Sequence, residues 1–286
     1  MRFFCIFLVL CGFFVGLDHF FHRKPNEFSV LVNALSLSAP QWDIDPLSST
    51  EQREIDQILN QKFTYLAKGS QAYAFLSEDK KYVLKFIKQH ILCPNSWLCY
   101  VPFPFNPYYQ KYTNRKKKSQ ATYRACQIAF HHCKDATALV YLHLNPTNHL
   151  HQTITLYDKR GHAKSLKIDQ ACFMIQKNAD LIYTRIEQLM SKNEIEKAKN
   201  IIASVFFLID FLGKKGVFDN DPNIQTNFGL VDDTAVQIDV GNMKIDPLRT
   251  SSLTSKQEVG KIVAPFRTWI QENYPELLPC FTQSSD

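Results

Sequence analysis

Between residues 216 and 241 the chain packs Asp219, Asp221, Asn223, Asn227 and Asp239 into one short, turn-rich segment. Residues 228–231 and 235–238 read as two short strands joined by a turn at Asp232, Asp233 and Thr234. Asn227 then leads into the hairpin and Asp239 leaves it, so the two lie at the same end. A carboxylate and a carboxamide meeting there suit a hard, oxygen-seeking cation such as magnesium. A solvated double turn would be rich in Asp and Asn for its own reasons, so the flanking elements decide what the segment is.

Ahead of it, residues 193–212 read as a helix, with Ala198, Ile201, Ile202, Val205, Leu208, Ile209 and Leu212 at three- and four-residue steps along one face. Ser191 and Glu194 have capping-box spacing at its start, and Lys214, Lys215 and Gly216 supply stop signals. Helix, acidic loop, short hairpin and Asp239-Val240-Gly241, in that order, resemble the catalytic half of the protein-kinase-like fold. That family runs His-Arg-Asp, then Asn, then Asp-Phe-Gly. Asp219, Asn220 and Asp221 stand where His-Arg-Asp would stand. Asn227 follows Asp221 by six residues where the family has five, and Val240 replaces the Phe. The resemblance implies that Asp221 accepts the proton of a substrate hydroxyl, and that Asn227 and Asp239 hold magnesium.

The first half of the chain carries matching parts. Residues 63–67, 72–76 and 82–87 read as three strands, with Lys68, Gly69, Ser70 and Gln71 in the first turn. This resembles the nucleotide-covering start of the same fold, where a Gly-rich turn lies over the phosphates and a Lys follows on the third strand. The resemblance gives Gly69 and Ser70 a nucleotide contact, and gives Lys85 the α- and β-phosphates of ATP. Ala67 and Ala72 hold the positions of the family's outer glycines. Residues 117–132 read as a helix, the place of a Glu that pairs with the strand Lys. No Glu occurs between Glu78 and Glu187, which leaves Lys85 without its usual orienting carboxylate. Residues 138–144, 152–157, 165–168 and 171–176 complete an antiparallel sheet, and residues 176–180 form the crossover between lobes.

With 45% apolar and 13% aromatic residues, 286 residues can bury one large core or two modest lobes. The net charge is +6, and the basic run Arg115, Lys116, Lys117, Lys118 reads as a solvated start of a helix, not a nucleic-acid footprint. The eight cysteines include no Cys-x-x-Cys pair. Cys126 and Cys133 share a helix face and read as buried packing residues. Residues 3–17 are an unbroken apolar run that Phe20 and Phe21 extend. That length, without a small-residue cleavage pattern, reads as an uncleaved single-pass anchor. Aromatic and Pro-rich residues 93–112 suit packing on the domain or on membrane lipid.

The expected fold is therefore α+β and bilobal, an antiparallel sheet lobe followed by a short, mainly helical lobe. The expected divisions are residues 1–24 (anchor), 25–60 (tether and short helix), 61–178 (sheet lobe with an insertion at 86–118) and 179–286 (helical lobe). The expected function is that of a membrane-anchored, cytoplasmic phosphotransferase using ATP and Mg2+, with a small molecule or lipid as acceptor. The alternative is a catalytically inactive pseudokinase that serves as a binding module.

Overall fold

A computed structural model describes residues 39–88, 109–219, 221–247 and 252–281. The fold is α+β and bilobal, with a seven-stranded sheet followed by a mainly helical lobe. Helix α1 (Ser49–Leu59) opens the first lobe, capped by Ser48, whose side chain accepts from the Glu51 N–H while Glu51 accepts from the Ser48 N–H. This capping box lies at residues 48 and 51 and satisfies two helix-end donors at once. Strands β1 (Lys62–Lys68), β2 (Ala72–Ser77) and β3 (Tyr82–Ile87) follow, then helix α2 (Tyr109–His132). Strands β4 (Leu139–His143), β5 (Thr153–Tyr157), β6 (Ala163–Lys167) and β7 (Phe173–Lys177) complete the sheet in the order β4-β7-β3-β2-β1-β5-β6. The expectation of a wholly antiparallel sheet needs one correction, because β1 and β5 pair in parallel. Chain between them passes through α2 and three other strands, so both can run the same way.

Alternation makes β2 legible, with Tyr73, Phe75 and Ser77 buried, whereas β3 buries Val83, Leu84, Phe86 and Ile87 on both faces and leaves Lys85 half-buried. The described residues ahead of α1, part of the expected 25–60 division, pack against the sheet lobe. Trp42 is 2% exposed and sets its ring edge-on to Tyr123 of α2, centroids 5.2 Å apart. Asn145 fastens the same stretch by donating to Ala39 O at 2.8 Å and accepting from the Ala39 N–H at 3.2 Å.

Strand β8 (Asp180–Leu181), helix α3 (Ile182–Ser191) and helix α4 (Ile195–Lys214) lead into the second lobe. Ser191 ends α3, donating to Gln188 O, and does not cap α4. On α4 the expected face is buried at all seven positions. Strand β9 (Val217–Asp219), the short helix α5 (Ile224–Asn227), and the hairpin β10 (Phe228–Val231) and β11 (Thr234–Gln237) follow. Strand β12 (Met243–Ile245) returns to pair with β9, and α6 (Ser252–Asn273) closes the lobe with a 3-10 turn at Pro275–Phe281. β8 pairs with β10, opposing Leu181 to Gly229, where a Cβ would lie 2.8 Å from the Ala179 Cβ. Only glycine permits that approach.

The expected localisation is corrected. Among the described residues no helix is long and apolar enough to cross a membrane. The apolar run at 3–17 and most of the aromatic interval at 93–112 lie outside the described residues.

Candidate functional site

The acidic segment folds by hydrogen bonds between its own side chains and backbone. Strand β9 delivers Asp219, whose Oδ1 accepts the Asp221 N–H at 2.9 Å and closes the turn. Asn223 caps α5 by accepting the Gln225 N–H at 2.9 Å. Asn227, 7% exposed, donates from Nδ2 to Asp221 O at 2.6 Å, tying the far end of α5 to the turn. Its backbone O accepts the N–H groups of Ile238 (2.7 Å) and Asp239 (3.3 Å). The two ends of the hairpin are thus locked side by side, and Asn227 and Asp239 lie at one end as the sequence requires.

Gln237 organises the floor beneath them. It is 1% exposed, and its Nε2 donates to Asp219 Oδ2 at 2.6 Å and to Asp239 O at 3.1 Å. Burial, with help from the negative charges of Asp239 and Asp221, pushes the Asp219 carboxyl above its ordinary pKa. Asp219 does make the turn that its sequence position suggests, and it also reaches the hairpin floor through Gln237. Asp221 and Asp239 are exposed.

Lys85 comes to the same place from the other lobe. Its Nζ donates to Ile238 O at 2.7 Å, across 153 residues of sequence. Burial pulls its pKa down to about 8, opposed by the nearby Asp239 and by Cys126. Among the described residues Lys85 makes no ion pair within 4.0 Å. On α2, Cys126 is fully buried and near enough to interact electrostatically with Lys85, and its thiol is pushed up to about 12 by burial and by Asp239. Cys126 is a packing residue, as its helix position suggests, and it is also Lys85's neighbour. As a thiol it carries no sequence signal for that place, where the resemblance calls for a carboxylate.

Gly69 and Ser70 are exposed at the tip of the β1–β2 turn. The Gly69 N–H is already used, donating to Ala72 O at 3.0 Å. Lys88, 5% exposed with its ammonium 4.8 Å from the Tyr73 ring centroid, donates to the Gly69 carbonyl. Gln71 closes the turn onto the second lobe: its Nε2 donates to Asn242 Oδ1 at 3.0 Å. Among the described residues its buried Oε1 has no hydrogen-bond partner, and it fills the space that a Cβ on Gly241 would take. The structure therefore brings Lys85, Asn227, Asp239 and Asp221 into one neighbourhood, and draws the Gly69–Ser70 turn down against residues 241–242.

Whether magnesium fits can be judged from the donors. Among the described residues no three His, Cys, Asp or Glu side chains form a metal cage. Asn227 and Asp239 are oxygen donors at one end of the hairpin, and among the described residues Asp239 Oδ1 accepts just the Gly241 N–H at 3.2 Å. Magnesium takes one or two protein oxygens and completes its shell with water and substrate phosphate. The donor set fits an ion held jointly with a nucleotide, not a protein-only site.

No family model matches this chain, and no curated protein matches it. Solved structures that resemble it include the bifunctional kinase-methyltransferase WbdD, with TM-score 0.39 and 15% identity over 75% of this chain and 42% of that one. WbdD with the kinase inhibitor LY294002 gives TM-score 0.36 and 14% identity over 77% and 45%. Rv3197 with erythromycin, from Mycobacterium tuberculosis, gives TM-score 0.33 and 16% identity over 94% and 68%. The chain spans less than half the length of the WbdD chains. At these TM-scores the reading of the site rests on this chain's own residues.

Proposed function

We propose that this protein is a kinase-like phosphotransferase that uses ATP with magnesium. One observation carries the reading: Lys85, on the first lobe's third strand, is hydrogen-bonded to the residue before Asp239, whose backbone is in turn held by Asn227. A cation, a carboxamide and a carboxylate from distant parts of the sequence converge in the order that the resemblance requires. Lys85 would hold the α- and β-phosphates as a point charge, and Asn227 and Asp239 the metal. Bound ATP and magnesium would supply the phosphoryl group and neutralise its charge. Gly69 and Ser70 would cover the nucleotide once Gln71 releases the turn. Asp221, exposed and fixed through its backbone to Asn227 and Asp219, would take the proton of an acceptor hydroxyl on a small molecule or lipid.

Cys126 and the Gln71 contact support a second reading, a pseudokinase that binds partners without turnover. With a thiol beside it, Lys85 lacks a carboxylate on α2 to orient it. Asp221→Asn separates the two. In an enzyme the change lowers phosphoryl transfer by about 10²-fold or more, the scale of losing a general base, and spares ATP binding. Wild-type protein with no transfer to any hydroxyl acceptor, but intact ATP binding, supports the pseudokinase.

A further inference from the structure

A pocket of about 190 Å³ lies in the second lobe between α4, β9 and α6. Leu212, Val217, Phe228 and Ile262 form its apolar walls, and Asp219 and Gln237 form one polar end. An apolar cavity of about 150 Å³ accommodates a benzene-sized guest, so this one has room for a ring with a short chain, about ten non-hydrogen atoms. A pocket with apolar walls and a few convergent polar groups is the usual form of a small-molecule site.

The polar end restricts what the guest can be. An ionised carboxylate offers about four acceptor positions, and Asp219 uses two, one for the Asp221 N–H and one for Gln237 Nε2. Acceptor capacity remains, so a guest gains by bringing a hydrogen-bond donor. A carbonyl-ended guest would set oxygen against oxygen. An anionic guest would meet Asp219 with Asp221 and Asp239 nearby, and an ion of either sign would give up its hydration to walls that are mostly apolar. We infer that this pocket binds a small, uncharged, apolar molecule ending in a hydroxyl group, with the hydroxyl donating to Asp219. The inference does not depend on nucleotide chemistry, because the lining comes from α4, β9, β10, β11 and α6 without Lys85 or the Gly69–Ser70 turn.

The test is methyl-detected NMR of the full chain, titrated with para-propylphenol and with propylbenzene, which has the same ring and chain and no donor. Saturable shifts are expected at Leu212, Val217 and Ile262, with the phenol binding about fivefold to tenfold more tightly, the scale of one net hydrogen bond. Ile262→Trp fills the pocket from α6 and should abolish those shifts while the rest of the spectrum stays folded. Val259→Phe, on the same helix wall, is the second filling variant should the first unfold. No saturable shift at these methyls, equal affinity for both probes, or undiminished binding in a folded filling variant would each overturn the inference. An ATP titration of the same sample reports separately on the proposed nucleotide site.

Discussion

Lys85 is charged where burial disfavours charge, and this makes its titration measurable. Its pKa falls from an ordinary 10.5 to about 8 in the folded chain. Below about pH 8 both folded and unfolded chains hold the proton, and Lys85 adds no slope. Between about 8 and 10.5 the unfolded chain binds more protons, so this residue makes stability rise with pH. Chemical denaturation of the full chain at several pH values across that window should show the slope, and Lys85→Met should remove it. If Lys85 binds phosphate as proposed, ATP affinity should move the other way, weakening as pH passes about 8 and the ammonium is lost. A lysine flanked by Val83, Leu84 and Phe86 was legible as a special strand residue because three apolar neighbours isolate it. Its neighbour Cys126 was not, because which α2 residue faces β3 depends on how helix and sheet pack, 41 residues apart in the chain.

The β1–β2 turn and the segment after β11 act on each other. Gln71 holds the turn against Asn242 and occupies the room beside Gly241, so under the proposed function a nucleotide would enter once that contact opens. Gln71→Ala should raise the association rate of ATP about threefold or more, the shift expected when a closed state loses a favourable contact. Gly241→Ala forces a methyl group into Gln71 and should weaken the closed form as well. The double variant should bind much like Gln71→Ala alone, a non-additivity that shows the two residues act through one contact. Stopped-flow fluorescence with a labelled nucleotide reads all three. Periodicity made α4 and the hairpin legible within two residues at most ends, since each buries one face. The β9–β12 pair, three residues on each side, escaped notice because so short a strand has no period to read. α3 escaped because the sequence shows no capping residue there: its N-cap is Leu181, without a side-chain bond.

Across the whole molecule, the larger hydrophobic core runs from Trp42 through Tyr123 and Cys126 of α2 to Ile202, Phe266 and Phe281. A smaller core beneath the sheet joins Ile55 and Phe63 to Leu156 and Phe173. Helix α2 is thus a wall of the second lobe as much as of the first, and the two should not fold independently. A fragment of residues 179–286 expressed alone should lack protected amides in α4, and the full chain should unfold in one cooperative transition. Two separate transitions, with the fragment folded, would contradict this. That same shared core fixes Lys85 over the hairpin, on which the functional proposal depends. Calorimetric titration of the full chain with ATP is the most direct test of that proposal. We expect binding in the presence of Mg2+, its loss on chelation and in Asp239→Asn, and weaker binding in Lys85→Met. Absence of ATP binding by the wild-type chain, or magnesium-dependent binding undiminished in Asp239→Asn, would contradict it.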